Sequence, residues 1–361
     1  MRGGEKVVES LCRMYPSADI FTHVVDEQIL SKTLKKHNIR TTFISRLPFA
    51  KRLYQKYLPL MPSALECLDL SEYDLVISSE SGPAKGVIVS PNAVHICYCH
   101  SPMRYIWDQY HVYREQAGLF AKLLMPFISP RLRQWDVTSA VRIDKIVANS
   151  SFVKRRINKF WGRPVSVVHP PVFVEDFAPV AAEEVEDYYL WVGELVSYKR
   201  ADLMVKAFAQ SGKNLIVIGG PAGAIKDLSK LASPNIKFLG KTDFKTLKDH
   251  MARCKALIFP GEEDFGIVPV EVMASGRPVI AFGKGGALDT IQEGKTGMFF
   301  HEPTVKSLNG AIEKFEETLL ETLDPNYIVQ HAEKFNESRF QEEMRLLINE
   351  ELMNIEEDGA L

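Results

Sequence analysis

Several features that would mark a membrane-spanning, secreted or zinc-stabilised protein are missing from this sequence. No run of about 18 apolar residues occurs. The longest candidate, Leu119 to Ile128, is interrupted by Lys122 and Pro126, so no membrane span is predicted. The first residues lack the pattern of a secretion signal. The five cysteines are an odd number without C-x-x-C spacing, which argues against a disulfide framework and a zinc site. We therefore expect a cytoplasmic protein.

Two common nucleotide-binding motifs are also absent. No G-x-G-x-x-G follows a predicted strand, and no G-x-x-x-x-G-K-[ST] is present. The run Gly283-Lys-Gly-Gly286 is only a partial match to such glycine-rich loops. Neither a dinucleotide fingerprint nor a P-loop is therefore supported.

The charge of the chain is −2 in total but is unevenly distributed. Residues 1–177 carry 24 Lys and Arg against 16 Asp and Glu, a net charge of +8, and the remainder carries −10. Residues 31–65, the basic segment, hold eight bases and no acid among Leu, Tyr and Phe. Such a segment suits an anionic membrane surface or nucleic acid, and is also found on a plain solvated face. No nucleic-acid-binding module is visible, so we expect an anionic membrane as partner and no nucleic acid.

Short apolar runs alternate with amphipathic segments along both halves of the chain. The first half reads as βαβ units, and the second half has six apolar runs between residues 188 and 300. This alternation predicts an α/β fold with parallel sheets, in which ligands bind beyond the carboxyl ends of the strands. A proline-rich and then acidic stretch at residues 169–187 predicts a domain boundary. The predicted domains are 1–176 and 177–337, followed by a C-terminal helix at 338–361 that is expected to pack back on the N-terminal domain.

An acidic loop at residues 260–266 follows a predicted buried strand and precedes a predicted helix with Pro269 near its start. Glu263 lies in this loop, and Glu271 is expected in the first turn of the helix. Free N–H groups at a helix start can hold an anionic or hydroxyl-rich ligand. The residues expected to offer them are Gly266, Ile267 and Val268. A solvated acidic loop, with Glu271 merely complementing the helix dipole, accounts for the pattern about equally well.

Two other loops carry polar groups after predicted strands. Lys199 and Arg200 fall near a helix start, where cations are disfavoured unless a bound anion such as phosphate compensates them. His100 follows a strand and can bond a hydroxyl group or shuttle a proton. Solvated bases and a structural histidine are the alternative interpretations. Ser150 or Ser151 is explained as a helix N-cap.

Together these segments resemble a GT-B retaining glycosyltransferase of family 4, in its bacterial mannosyltransferase-like branch. The resemblance covers nearly the whole chain. It is carried by Gly3-Gly4-Glu5, residues 100–105, residues 148–151, residues 195–200 and the two glutamates Glu263 and Glu271, which are separated by seven residues. It implies two Rossmann-like domains with a cleft between them.

The resemblance also implies a role for each matching residue. Glu271 would bond the ribose hydroxyls, Glu263 the donor sugar, and Lys199 with Arg200 the diphosphate of a nucleotide sugar, expected to be GDP-mannose. The amides of residues 266–268 would assist, and His100 would contact the donor sugar. Gly3, Gly4 and Arg104 would form an acceptor-side loop for a glycan or lipid-linked acceptor. No cofactor or metal is implied, and the chain has no Asp-x-Asp. The expected location is peripheral, at the inner face of the membrane.

Two departures from the family pattern leave a second function open. Glu194 stands where many relatives have an arginine, five residues before the diphosphate lysine. The family's first strand before the Gly-Gly motif is also missing, so we expect a gap or an edge in the N-terminal sheet. A GT-B protein that binds nucleotide sugars without transferring them is therefore the alternative. A phosphorylase or epimerase fits the fold but not the paired glutamates.

Overall fold

The computed structural model describes residues 3–359, with side chains for residues 3–354. It divides into two compact units: unit 1 comprises Met1–Pro171 and Phe340–Leu361, and unit 2 comprises Val172–Arg339. The division falls five residues before the sequence-predicted boundary. The reason is that Val172 and Val174 are buried in the core of unit 2, together with Phe177.

Unit 1 begins with α1 (Gly3–Met14) and contains two separate parallel sheets. One sheet pairs β1 (Ile20–Thr22) with β2 (Ile39–Thr41). The other has the order β3 (Leu75–Glu80), β4 (Val94–Cys99), β5 (Lys145–Ala148) and β6 (Ser166–Val167). The α-helices between residues 50 and 161 are α2 (Ala50–Leu53), α3 (Met61–Glu66), α4 (Tyr110–Gln116), α5 (Leu119–Val141) and α6 (Ser151–Trp161).

The strands of unit 1 do not form one continuous sheet. Within residues 3–359, β3 pairs with β4 on one edge, and no ladder joins it to the β1–β2 pair. The interruption lies in the N-terminal sheet, where the sequence predicts a gap or an edge. An unpaired strand edge leaves backbone groups that need other partners.

Unit 2 is built on a six-stranded parallel sheet. Its strands are β7 (Tyr189–Val192), β8 (Leu215–Ile218), β9 (Ile236–Gly240), β10 (Ala256–Phe259), β11 (Val279–Phe282) and β12 (Gly297–Phe300). Its helices are α7 (Ala201–Ser211), α8 (Ala222–Ser229), α9 (Phe244–Arg253), α10 (Ile267–Ala274), α11 (Ala287–Thr290), α12 (Val305–Thr318) and α13 (Pro325–Ala332). The central strands consist of aliphatic and aromatic residues because both faces of a parallel sheet are covered by helices.

The strand order of unit 2 is β12-β11-β10-β7-β8-β9. The sheet therefore grows outwards in both directions from β7 and β10, which are neighbours although two strands separate them in the chain. Such a reversal of strand order opens a crevice at the carboxyl ends of the two central strands. The fold thus places the loops after β7 and β10 side by side.

The last helix, α14 (Glu337–Gly359), returns to unit 1. Phe340, Met344 and Ile348 repeat every four residues, and they are buried in one cluster with Val7 of α1. The ammonium group of Lys145 lies 2.9 Å from the carboxylate of Glu351 and adds a polar contact. The helix is held mainly by this apolar stripe. None of the described helices combines the length and the apolar character required to cross a membrane.

Candidate active site

One candidate cation and one candidate carboxylate of the site lie in contact beyond the carboxyl ends of β7 and β10. Lys199 follows β7, Glu263 follows β10, and Lys199 Nζ lies 2.7 Å from Glu263 Oε1. Their side chains are 15% and 18% exposed, so the pair is reached by solvent yet largely enclosed. The loops therefore bring together the two side chains that the sequence places 64 positions apart. An anionic ligand that binds the ammonium group of Lys199 must therefore displace the carboxylate of Glu263.

Arg200 does not join this pair. Its backbone has a φ of 52°, in the left-handed region that non-glycine residues rarely adopt. Its Nε donates to Asp202 Oδ1 at 3.0 Å and its Nη2 to Asp202 Oδ2 at 3.3 Å. The guanidinium is thus held by the first turn of α7, and of these two neighbouring bases it is Lys199 that pairs with Glu263.

Glu194, the departure from the family pattern, has a cation of its own. Its Oε1 lies 3.8 Å from Nζ of Lys241, which follows β9. Both side chains are more than half exposed, so their interaction is weak and screened. The negative charge of Glu194 is nevertheless balanced locally, within the loop that also carries Lys199.

The start of α10 agrees with the sequence in most respects and differs in one. Gly266 precedes the helix with a φ of 90°, so the helix begins at Ile267 and Pro269 lies in its first turn. Glu271 is the fifth helical residue and therefore lies in the second turn, not in the first turn as expected. It is buried, with 8% exposure. The backbone N–H groups of the first turn are left without partners inside the helix, as at any helix start.

A glycine loop that the sequence did not assign to the site supports the acidic loop. The N–H of Gly286 donates to the carbonyl oxygen of Glu263 at 2.9 Å. A Cβ added at Gly286 would lie 2.3 Å from Cα of Phe265, so no side chain fits there. The partial glycine motif at residues 283–286 therefore positions the backbone of residues 263–265. In the sequence, only the adjacent glycines Gly285 and Gly286 marked this loop. Their role could not be predicted because residues 263–265, which they contact, are about 20 positions away in the chain.

In unit 1, His100 and Gly4 come together. An added Cβ at Gly4 would lie 3.4 Å from Nε2 of His100, so the absence of a side chain there leaves room beside the ring. The same nitrogen is 2.8 Å from Oγ of Ser79, which the sequence did not single out. Removal from water lowers the pKa of His100 to about 4, because burial disfavours the charged ring. The imidazole is therefore neutral at physiological pH.

The predicted acceptor-side loop is corrected in part. Gly3 and Gly4 lie in the first turn of α1 rather than in a loop. Arg104 lies in the segment after β4, where it is partly buried. That segment is held by Arg156, which donates to Ser101 Oγ at 2.6 Å and to Asp108 at 2.8 Å. At the start of α6, Ser150 accepts from the N–H of Val153 at 3.1 Å, which confirms its interpretation as an N-cap.

Three buried charged residues, here called the triad, lie close to His100 and contact one another. Lys85 is fully buried between Glu80, at 3.0 Å, and Asp136. Asp136 also accepts from the indole N–H groups of Trp107 and Trp161, each at 2.7 Å. Burial raises the pKa of Glu80 to about 7, although Lys85 opposes the shift. The backbone carbonyl of Glu80 accepts from the N–H of His100 at 2.7 Å, so the triad supports the position of that residue.

Solved structures with the same architecture define the class of this fold. The Anabaena protein HepE, solved in complex with UDP and glucose, superposes with a TM-score of 0.70 at 15% identity, covering 96% of each chain. A sucrose-phosphate synthase from Thermosynechococcus elongatus superposes with a TM-score of 0.69 at 17% identity, covering 96% of this chain and 91% of the other. The fold is therefore GT-B, with two Rossmann-like domains.

Family models and relatives then identify the family. The model "Glycosyltransferase Family 4" matches residues 1–176, and "Glycosyl transferases group 1" matches residues 173–334. The chain belongs to the group 1 glycosyltransferase family.

Relatives with named activities include two fungal mannosyltransferases. The alpha-1,3/1,6-mannosyltransferase alg-2 of Neurospora crassa is 29% identical over 66% of this chain and 59% of its own length. The alpha-1,3/1,6-mannosyltransferase ALG2 of Saccharomyces cerevisiae is 26% identical over 62% of this chain and 53% of its own length. The chain thus matches a little more than half the length of these relatives.

Proposed function

We propose that the chain transfers a sugar from a nucleotide donor, with retention of configuration, and that the sugar is mannose from GDP-mannose. The observation that carries this proposal is the Lys199–Glu263 pair beyond β7 and β10, beside the start of α10. Mannosyltransferases among the relatives support the choice of sugar. The UDP complex of HepE supports a nucleotide in such a fold.

In this proposal the donor separates the ion pair. Lys199 turns from Glu263 to the diphosphate, and Glu263 becomes free to accept hydrogen bonds from the sugar hydroxyls. Glu271 accepts hydrogen bonds from the ribose, with help from the N–H groups of Gly266, Ile267 and Val268. Arg200 is proposed to join Lys199 at the diphosphate by leaving its partly exposed ion pair with Asp202.

The reaction replaces one bond at the anomeric carbon by another. The bond between this carbon and the diphosphate oxygen breaks, the acceptor hydroxyl forms a bond to the same carbon, and its proton passes to the departing diphosphate. Negative charge grows on the diphosphate, and preorganised cations and N–H donors stabilise such charge strongly. We propose that Lys199 and the start of α10 supply this stabilisation without a divalent metal. Neutral His100 hydrogen-bonds the transferred sugar.

The acceptor is proposed to be a glycan or a lipid-linked sugar at the inner face of the membrane. All eight bases of the basic segment are exposed, which suits an anionic surface. Nucleic acid is not a proposed partner. Gly3, Gly4 and Arg104 are proposed to lie on the acceptor side.

A donor panel tests the proposed function. The protein is incubated with GDP-mannose, UDP-glucose and other nucleotide sugars, with an acceptor extract, in the presence and absence of EDTA. We expect release of GDP from GDP-mannose at the same rate in EDTA. Binding of a donor without release from any of them would favour the non-transferring alternative, and loss of release in EDTA would contradict the metal-free reaction.

A further inference from the structure

A row of large apolar side chains at the beginning of α5 is exposed to solvent. Leu119, Phe120, Leu123 and Phe127, here called the apolar ridge, are 84, 77, 70 and 71% exposed. Leu119, Leu123 and Phe127 follow one another every four residues, and Phe120 lies three residues before Leu123, so all four lie along one side of the helix. Soluble proteins seldom leave such contiguous apolar groups in water unless they contact a partner. The ridge therefore indicates an interaction surface.

The ridge lies in a stretch that carries positive charge alone. Residues 116–135 contain Lys122, Arg131 and Arg133, and no Asp or Glu. Lys122 and Arg131 are exposed. Long basic side chains can lay their methylene groups along an apolar surface while the charge stays in water or at a phosphate. An anionic partner is therefore favoured and a cationic one is disfavoured.

The basic segment lies close to α5. Leu58 of that segment and Ile128 of α5 pack against the same small cluster, formed by Met103, Ile106 and Leu132. The basic segment also exposes Phe49, which is 76% accessible to solvent. Apolar and basic groups of two neighbouring elements thus contribute to one region of unit 1.

We propose that the apolar ridge inserts into the interfacial layer of an anionic lipid bilayer, with Lys122 and the basic segment held at the headgroups. This inference rests on the membrane-located acceptor of the proposed function and names the element that reaches the membrane. Apolar insertion combined with charge of one sign is typical of interfacial helices. A protein interface would instead surround an apolar centre with a polar rim.

Vesicle co-sedimentation of the full chain, without donor or acceptor, provides the first test. The ridge variant Phe120→Ser/Leu123→Ser/Phe127→Ser is expected to lower partitioning onto phosphatidylglycerol-containing vesicles about tenfold or more, because each side chain gains by leaving water. The variant Lys51→Ser/Arg52→Ser/Lys56→Ser is expected to lower it chiefly at low salt. Leu288→Ser, at a 48% exposed leucine of unit 2, is the matched control and should change nothing.

Depth of insertion is measured separately with a fluorophore. Leu123→Cys is labelled in a Cys67→Ser background, because Cys67 is an exposed native thiol. We expect the label to be quenched by brominated acyl chains on anionic vesicles, and a label on Leu288→Cys to remain unquenched.

Three results would overturn the proposal. The first is unchanged vesicle binding by the ridge variant, and the second is vesicle binding without quenching at position 123. The third is self-association of the wild type in sedimentation velocity that the ridge variant loses, with no vesicle binding. Sugar transfer is assayed independently with the donor panel, so failure of the proposed function and failure of membrane insertion are distinguishable.

Discussion

The two units share the βαβ repeat and differ in what fills their interiors. Unit 2 has one continuous sheet of six strands between apolar clusters. Within residues 3–359, unit 1 has two separate sheets, and it buries the triad of Glu80, Lys85 and Asp136 beside β3. Unit 2 therefore depends mainly on apolar burial, and unit 1 depends on charge pairing as well. The same kind of substitution should have different consequences in each unit.

The largest expected effect is on the stability of unit 1. Lys85→Met would leave two carboxylates buried without their cation, at a cost of about 3–5 kcal/mol in the free energy of unfolding. Urea denaturation followed by tryptophan fluorescence should show unit 1 unfolding at a lower urea concentration. Lys230→Met removes an exposed ion pair in unit 2 and is the control, with little change expected. An unchanged transition in Lys85→Met would show that the triad does not stabilise unit 1.

In unit 2 the largest effect should be on chemistry instead of folding. Glu263→Ala is expected to slow transfer about a hundredfold, since it removes a group at the reacting sugar. Glu271→Ala should chiefly weaken donor binding. Steady-state kinetics and calorimetric titration with the donor separate the two effects, and Glu262→Ala is the neighbouring control. Wild-type turnover and donor affinity in both variants would remove these glutamates from the site.

Two glycines of unit 2 are expected to respond in opposite directions to the same substitution by alanine. Gly286→Ala would press a methyl group against the backbone of Phe265 and should cost about 1–3 kcal/mol of stability. Gly310→Ala, in α12 where an added Cβ would meet nothing within 4 Å, should raise stability by about 0.5–1 kcal/mol. Thermal unfolding of both variants checks the opposite signs. Equal changes in the unfolding temperature of the two variants would mean that the acidic loop moves to accommodate the methyl group at position 286.

The expected effect of pH on the stability of unit 1 is small near neutral pH and grows as the pH falls. The pKa of His100 is lowered to about 4 in the folded protein from 6.5, so the folded state favours the neutral ring. Its contribution to stability is present above pH 6.5 and is lost as the pH falls towards 4. His100→Gln should reduce the slope of unfolding free energy against pH in this range by at most about 1.4 kcal/mol per pH unit. A slope equal to that of the wild type would contradict the assigned shift.

The sequence predicted unit 2 well because its signals are local. Apolar runs such as Leu215–Ile218 and Val279–Phe282 are typical of strands buried on both faces, and glycines and prolines mark the ends of helices. The position of the loops after β7 and β10 followed from the rule for doubly wound sheets, and the roles of Lys199 and Glu263 in these loops were implied by the family resemblance. Their direct contact needed the strand order, which no local pattern contains.

Unit 1 was predicted less completely because its main polar contacts join residues that are far apart in the sequence. Lys85 and Asp136 are separated by 51 positions, so no spacing reveals their ion pair. Strands β1 and β2 have three residues each, too few for a periodic signal. The apolar run at 119–128 was visible, but its exposure depends on what packs around α5. Local patterns thus predict strands and helices better than they predict which polar groups are buried together.

The direct test of the donor site is the affinity of the nucleoside diphosphate relative to the monophosphate. Lys199 pairs with Glu263 in the structure, and in the proposed function its ammonium group moves to the diphosphate when a donor binds. Isothermal titration of GDP and GMP is carried out on the wild type and on Lys199→Ala. We predict that GDP affinity falls about tenfold or more, as expected for loss of a charge-assisted contact, while GMP affinity changes little. Equal losses for GDP and GMP would contradict the assignment of Lys199 to the diphosphate.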